Sequence, residues 1–330
     1  MRHPTTTAWA ESPLQLLGVL EHAALTATTA ASATTAASAT TAASATTAAA
    51  HPDGLAIIPR AGDAQLARTV DAAEAFGPPT GARLGIDRLL LPASRFPSGG
   101  WWVIGDPFSG QVQARLARAE PSGVTLVDDG AITRHLAALL ASGCALLRPG
   151  VAAPALRRAL GATTTRTLRR LADEERLHVT TYLGPDDPAV ARLAAIGAVV
   201  RHHNFAWTRA AGSAAHGIPA GHRIVLGTAA VADGRRSVED HLLWLRAIAR
   251  LGPLSYLPHR REPARVLRAL AGERYVHVRP AALPVELALG GTTRALDIVS
   301  SPSSATETLE RVLAGTGSSI RVDPIPVVRA

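Results

Sequence analysis

Short runs of apolar or β-branched residues recur along this chain. Each ends in a polar or glycine-bearing turn, and a segment with apolar residues spaced three or four apart follows. The first pattern is that of a buried strand and the second that of an amphipathic helix. In the first half the spacing predicts strands at 5–10, 55–58, 88–92, 101–104, 124–127, 177–183 and 198–200. Between them it predicts helices that open at Pro13, Leu66, Val112, about Ala131 and Pro154. The second half restarts the pattern, with strands at 223–226, 254–257, 275–278, 295–299 and 319–322. Helices are expected there at 238–251, 264–271, 284–289 and 305–313. Strands alternating with helices argue for parallel sheets, so the fold class is α/β in two domains.

Two stretches interrupt the alternation. From Thr28 to about Ala50 the unit Thr-Thr-Ala-Ala-Ser-Ala repeats with no large apolar residue to bury. It reads as a low-complexity insertion, mobile or loosely helical, that carries no chemistry. Residues 206–221, rich in alanine, glycine and serine, read as a crossover. The expected domains are therefore 1–205, containing the 28–50 insertion, and 222–330.

Composition narrows the picture. With 330 residues, 47% of them hydrophobic, the chain can build two proper cores. Its net charge is +8, and every basic residue is arginine. No basic run is dense enough to argue for nucleic acid, whereas arginine forks suit phosphate and carboxylate. The lone Cys144, in an apolar run, reads as a small core residue and fits a reducing compartment. No run reaches transmembrane length, and the N-terminus has no signal-peptide pattern. The expected location is cytoplasmic, with peripheral attachment to the inner membrane face left open.

Candidate chemistry sits at predicted strand ends, where open parallel sheets bind ligands. Asp128 and Asp129 close the 124–127 strand, and Gly130 then turns the chain. Adjacent acids raise one another's pKa, which suits a general base; equally, one could cap the next helix. Gly105 and Asp106 end the strand at 101–104, and Gly227 and Thr228 end the strand at 223–226. Ser12 before Pro13 has the form of a helix cap, with Gln15 in the same turn. His259, Arg260 and Arg261 follow the 254–257 strand and make an anion site, with Glu262 as the alternative counter-ion. Ser303 and Ser304 open a helix, where hydroxyls, free N–H groups and the helix dipole favour phosphate; an ordinary N-cap explains them too. Glu286 lies in the first turn of another helix. His202 and His203 have no nearby acid or cysteine, so no metal site is expected. The Gly-x-Gly-x-x-Gly fingerprint is absent after the first strand, so no dinucleotide cofactor is indicated.

Ser12-Pro-Leu-Gln-Leu-Leu17, Asp128-Asp-Gly130, Pro258-His259-Arg260 and the serine pair near 303 stand in one order. In that order they resemble bacterial sialyltransferases and polysialyltransferases. The resemblance implies a GT-B fold, two Rossmann-like domains facing each other across a cleft. It implies an inverting transfer of sialic acid from CMP-sialic acid to a glycan hydroxyl, with no metal or other cofactor. Asp128 would be the base, with Asp129 in support, and His259 would meet the departing phosphate of CMP. Ser303 and Ser304 would bind that phosphate, and Glu286 the ribose. Ser12, Gln15, Gly105, Asp106, Gly227, Thr228 and Arg260 would complete the substrate-binding set. Arg260 stands where the family carries proline. Another nucleotide sugar, or a non-catalytic nucleotide- or sugar-binding protein of the same fold, are the alternatives.

Overall fold

The computed structural model describes residues 6–37, 54–85, 96–128, 132–213 and 217–323. The chain divides into two compact units, Met1–Trp207 and Thr208–Ala330.

Unit 1 opens with β1 (Thr6–Ala10), buried along its whole length, and α1 (Pro13–Ala37). Next come β2 (Leu55–Pro59), α2 (Ala64–Phe76), β3 (Ala82–Leu84) and β4 (Trp101–Ile104). The unit continues through α3 (Gly110–Leu116), β5 (Gly123–Val127), α4 (Ile132–Ser142) and α5 (Ala155–Asp173). It ends with β6 (Leu177–Thr181), α6 (Pro188–Ala195) and β7 (Val199–His202), and α7 (Ala206–Ala211) follows. Its seven described strands lie in the order β3-β2-β1-β4-β5-β6-β7, every pairing parallel. The first strand is therefore central, and the winding reverses beside it, between β1 and β4. Such reversal points are where doubly wound sheets bind ligands.

Local chemistry sets the joints. Ser12 Oγ accepts from Gln15 N at 3.3 Å, and Gln15 Oε1 accepts from Glu11 N at 2.8 Å. This reciprocal pair is a variant of the capping box, with Pro13 in the first helical position. Asp63 accepts from Gln65 N and Leu66 N to start α2, and Asp187 before Pro188 starts α6. A Cβ at Gly123 would fall 2.2 Å from the Trp101 ring, so the β5 backbone must be bare where the indole crosses it. Phe96, Trp9 and Trp102 build an aromatic core beside the sheet, Phe96 stacking on Trp102 at 4.8 Å.

Unit 2 repeats the plan in smaller form. It holds β8 (Arg223–Leu226), α8 (Val238–Ala249), β9 (Leu254–Leu257), α9 (Ala264–Leu270) and β10 (Val276–Val278). Then come α10 (Val285–Leu289), β11 (Asp297–Ser300), α11 (Ser304–Val312) and β12 (Ser319–Val322). The order is β10-β9-β8-β11-β12, again wholly parallel, with the reversal between β8 and β11. Val225, Tyr256 and Val299 of the sheet pack with Leu245, Ile248, Val266 and Leu270 of α8 and α9.

Some expectations shift. Cys144 is exposed rather than a core residue. Helix α4 ends at Ser142, and Gly143 at φ 70° turns the chain, which leaves Cys144 at the surface before Leu146 returns to the core. The expected strand at 88–92 lies outside the described residues; a shorter one, β3, precedes it. The start of the alanine–threonine repeat continues α1 as far as Ala37. There Thr28 and Thr29 donate to Ala24 O and Leu25 O, and both are exposed. The rest of the repeat lies outside the described residues. Among the described residues no helix is long and apolar enough to cross a membrane.

Candidate functional site

The richest set of strand-end groups lies at the carboxyl edge of the unit 2 sheet. Strands β9, β8 and β11 are neighbours, so the loops that leave them are adjacent. Gly227 follows β8, and its N–H donates to Leu257 O of β9 at 2.7 Å. A Cβ here would fall 2.3 Å from His259 N and 2.4 Å from Glu262 Oε2. Only glycine lets these two loops touch. Thr228 Oγ1 accepts from Ala230 N at 3.2 Å, which holds the turn after it.

His259 is half-buried, and its Nδ1 accepts from Arg261 N at 3.1 Å. A neutral ring must then carry its hydrogen on Nε2, where it can donate. Burial, and then the charges of Arg260 and Arg261, push its pKa below the usual histidine value, which favours that neutral form. Arg260 is exposed beside it, and Arg261 pairs with Asp233.

Beneath this loop lies a buried network that the sequence did not reveal. Glu262, its side chain 1% exposed, accepts from His259 N at 3.2 Å. Burial pushes its pKa up; Tyr256 and the backbone N–H groups of His259 and Thr228 act against that. Tyr256 Oη is 2.9 Å from His241 Nε2, and Arg236 Nη1 faces His241 Nδ1 at 3.4 Å. Since arginine only donates, Nδ1 is the acceptor and Nε2 holds the hydrogen. Burial and then Arg236 lower His241 to about 4, so it is neutral at pH 7. The network thus ties the β8 and β9 loops to α8. Glu262 was legible only as a counter-ion, because its partners come from residues far apart in the chain.

On the other flank of β8, β11 ends in Ser300 and Ser301, both buried. Ser303 is the N-cap of α11 but makes no side-chain cap bond, and Ser303 and Ser304 are both exposed. Their hydroxyls stand at the positive end of a nine-residue helix. Glu286 is 4% exposed and accepts from Thr308 Oγ1 of α11 at 2.5 Å. Burial raises its pKa, and the Thr308 bond opposes that. A cavity of about 170 Å³ adjoins, lined by Leu257 at the end of β9 and Pro258 after it, and by Arg279 and Pro280 after β10.

In unit 1, Asp128 ends β5 and is 4% exposed. Its Oδ1 accepts from Thr133 Oγ1 and its Oδ2 from Tyr182 N, each at 2.6 Å. The carboxylate therefore joins β5 to α4 and to the end of β6. Asp129 lies outside the described residues. His203 and Phe205 line the small void beside Asp128. Gly105 ends β4, and a Cβ there would fall 2.5 Å from Gln15 Cγ, so Gln15 depends on that glycine. Asp106 Oδ1 accepts from Phe108 N at 2.9 Å, and its other oxygen pairs with Arg148. Ser12, Gln15, Gly105 and Asp106 thus gather at the β1/β4 reversal, whereas Asp128 stands one strand further along.

No family model matches the chain, and no curated protein matches it. Among solved structures it is similar to a UDP-glucose: anthocyanidin 3-O-glucosyltransferase in complex with UDP. The likeness covers 98% of this chain and 81% of that one, at 10% identity and a TM-score of 0.44.

Proposed function

We propose that this chain is a glycosyltransferase whose unit 2 binds the nucleotide-sugar donor, with CMP-sialic acid as that donor. The observation that carries the reading is the donor-rich edge around the β8/β11 reversal. A neutral His259 with hydrogen on Nε2 lies on one side of the Gly227 turn, and Ser303, an N-cap that makes no side-chain cap bond, and Ser304 lie on the other. Such groups stabilise a phosphate that gains charge as it leaves, without a metal. One bridging phosphate, as in CMP-sialic acid, suits this modest set. The cavity of about 170 Å³ beside Pro258 and Arg279 would hold the base of the nucleotide.

In this reading Asp128 takes the proton of the acceptor hydroxyl. The hydroxyl oxygen bonds to the anomeric carbon as the bond from that carbon to the phosphate oxygen breaks, inverting the centre. The leaving electron pair stays on CMP. Glu286 acts here through α11, since its buried carboxyl holds Thr308 of that helix.

Calorimetry with CMP and UDP on the full chain, and transfer assays with CMP-sialic acid and UDP-glucose, test the proposal. CMP should bind, His259→Ala should weaken it, and CMP-sialic acid should be turned over. Binding of UDP with no binding of CMP would move the donor to another nucleotide sugar. CMP binding without turnover of any donor would leave a binding protein. If neither nucleotide binds, the reading fails.

A further inference from the structure

A cavity of about 490 Å³ lies in unit 1 at the β1/β4 reversal. Its size is that of a small-molecule site. Glu11, following β1, and Asp106, following β4, enter it from the two sides of the reversal. Arg60, Arg148 and Arg157 enter it from three further segments. Leu147 and Val151 add apolar wall, and Val151 is 63% exposed.

The charges sort into pairs with one left over. Arg60 Nη1 meets Glu11 Oε2 at 2.9 Å, and Arg148 meets Asp106. Burial, with Asp106 nearby, pushes the Glu11 pKa up, and the bonds from Ser109 and Arg60 oppose that. Arg157, in the first turn of α5, has no acidic partner among the described residues. Its Nη2 donates to Phe108 O at 2.9 Å, and its Nη1 is buried without a partner. A Cβ at Gly110 would fall 2.9 Å from that Nη1, so a bare backbone makes room for the guanidinium. An arginine held at the cavity wall through Phe108 O, with no described acid against it, leaves the lining a net positive charge that suits an anion.

We propose that this cavity binds a small organic anion of sugar size, gripped through Arg157 with Arg148 at its side. Its carboxylate or phosphate faces the arginines, and its carbon skeleton lies along Leu147 and Val151. The site stands in unit 1 and goes beyond the donor reading of unit 2. Combined with that reading, it makes the acceptor an acidic one.

Titrating the full chain with glucuronate, glucose 6-phosphate and glucose by calorimetry tests this, at fixed moderate salt. At least one of the two acids should bind ten-fold or more tighter than neutral glucose. Preference between glucuronate and glucose 6-phosphate tells carboxylate from phosphate. Arg157→Gln should weaken the acid at least ten-fold, and Arg157→Lys less, since it keeps charge but loses the fork. The thermal midpoint checks that the variants fold. Equal binding of acids and glucose by the wild-type chain overturns the proposal whatever the variants do, as does an unchanged Arg157→Gln. CMP titrated separately keeps the two readings apart: an acid bound without CMP sinks only the donor reading, and CMP bound without an acid sinks only this one.

Discussion

Asp128 is a structural tie to which the proposed function adds the role of base, and a conservative variant separates the two. Its two oxygens accept from two donors, Thr133 Oγ1 and Tyr182 N. Asparagine has one oxygen and one amide nitrogen, so one donor would face another donor. Asp128→Asn should therefore lower stability by about 1–3 kcal/mol, the cost of an unmet buried polar group. Denaturant unfolding measures that loss, and transfer assayed well below the melting temperature measures the chemistry. A loss of roughly 10²–10⁴-fold in transfer is expected of a missing general base. Lost stability with full transfer would make Asp128 a structural tie alone. Histidines give the second residue-scale prediction. Burial holds His203 in unit 1 and His241 in unit 2 at about 4. Unfolded, each titrates near 6.5, so between those values the unfolded chain binds protons that the folded chain refuses. Their full stabilising effect is present above about pH 6.5 and is lost as pH falls towards 4. The loss is on the order of 3 kcal/mol for each histidine. His203→Phe, set against Phe205, should flatten that slope for unit 1 in unfolding measured from pH 7 to pH 4.

Elements were legible where a period had length to show itself. β8, β9 and β12 stand where the apolar runs put them, and α8 begins at the Val238 that opens its amphipathic pattern. β3, with three residues, is too short to show an alternation, and α6 and α7 fell between strands that carried the stronger signal. Site residues were legible when one residue and its neighbours in sequence did the work, as with His259 beside Arg261. The Glu262–Tyr256–His241–Arg236 chain and the Arg157 cavity were not, because only the fold assembles them. Gly227→Ala tests the close approach of two loops. Its Cβ would meet His259 N at 2.3 Å, so the β9 loop must move and CMP affinity should fall by ten-fold or more. Gly161 makes the same argument for a helix. It sits in α5, where alanine ordinarily adds up to about 1 kcal/mol. Here its Cβ would lie 2.7 Å from Leu146 O, so Gly161→Ala should destabilise by about 1–3 kcal/mol in urea unfolding.

At the scale of the whole molecule, the two units carry the same winding, and the proposed function puts the donor in one of them. Hydrogen exchange with and without CMP checks that allocation. Protection is expected at 227–229, 258–262 and 301–306, with the unit 1 loops after β1 and β4 unchanged. Protection confined to unit 1 would reverse the assignment. The central place of each unit's first strand has a consequence during synthesis. Thr7 of β1 pairs with Trp102 of β4, and Val225 of β8 pairs with Val299 of β11. A ribosome adding about 5–20 residues each second leaves β1 with that edge unfilled for on the order of 5–20 s. A strand that ends buried along its whole length thus begins with one edge open. Nascent chains stalled before Trp102 should hold chaperones, and chains stalled well past His202 should release them while unit 2 is still unmade.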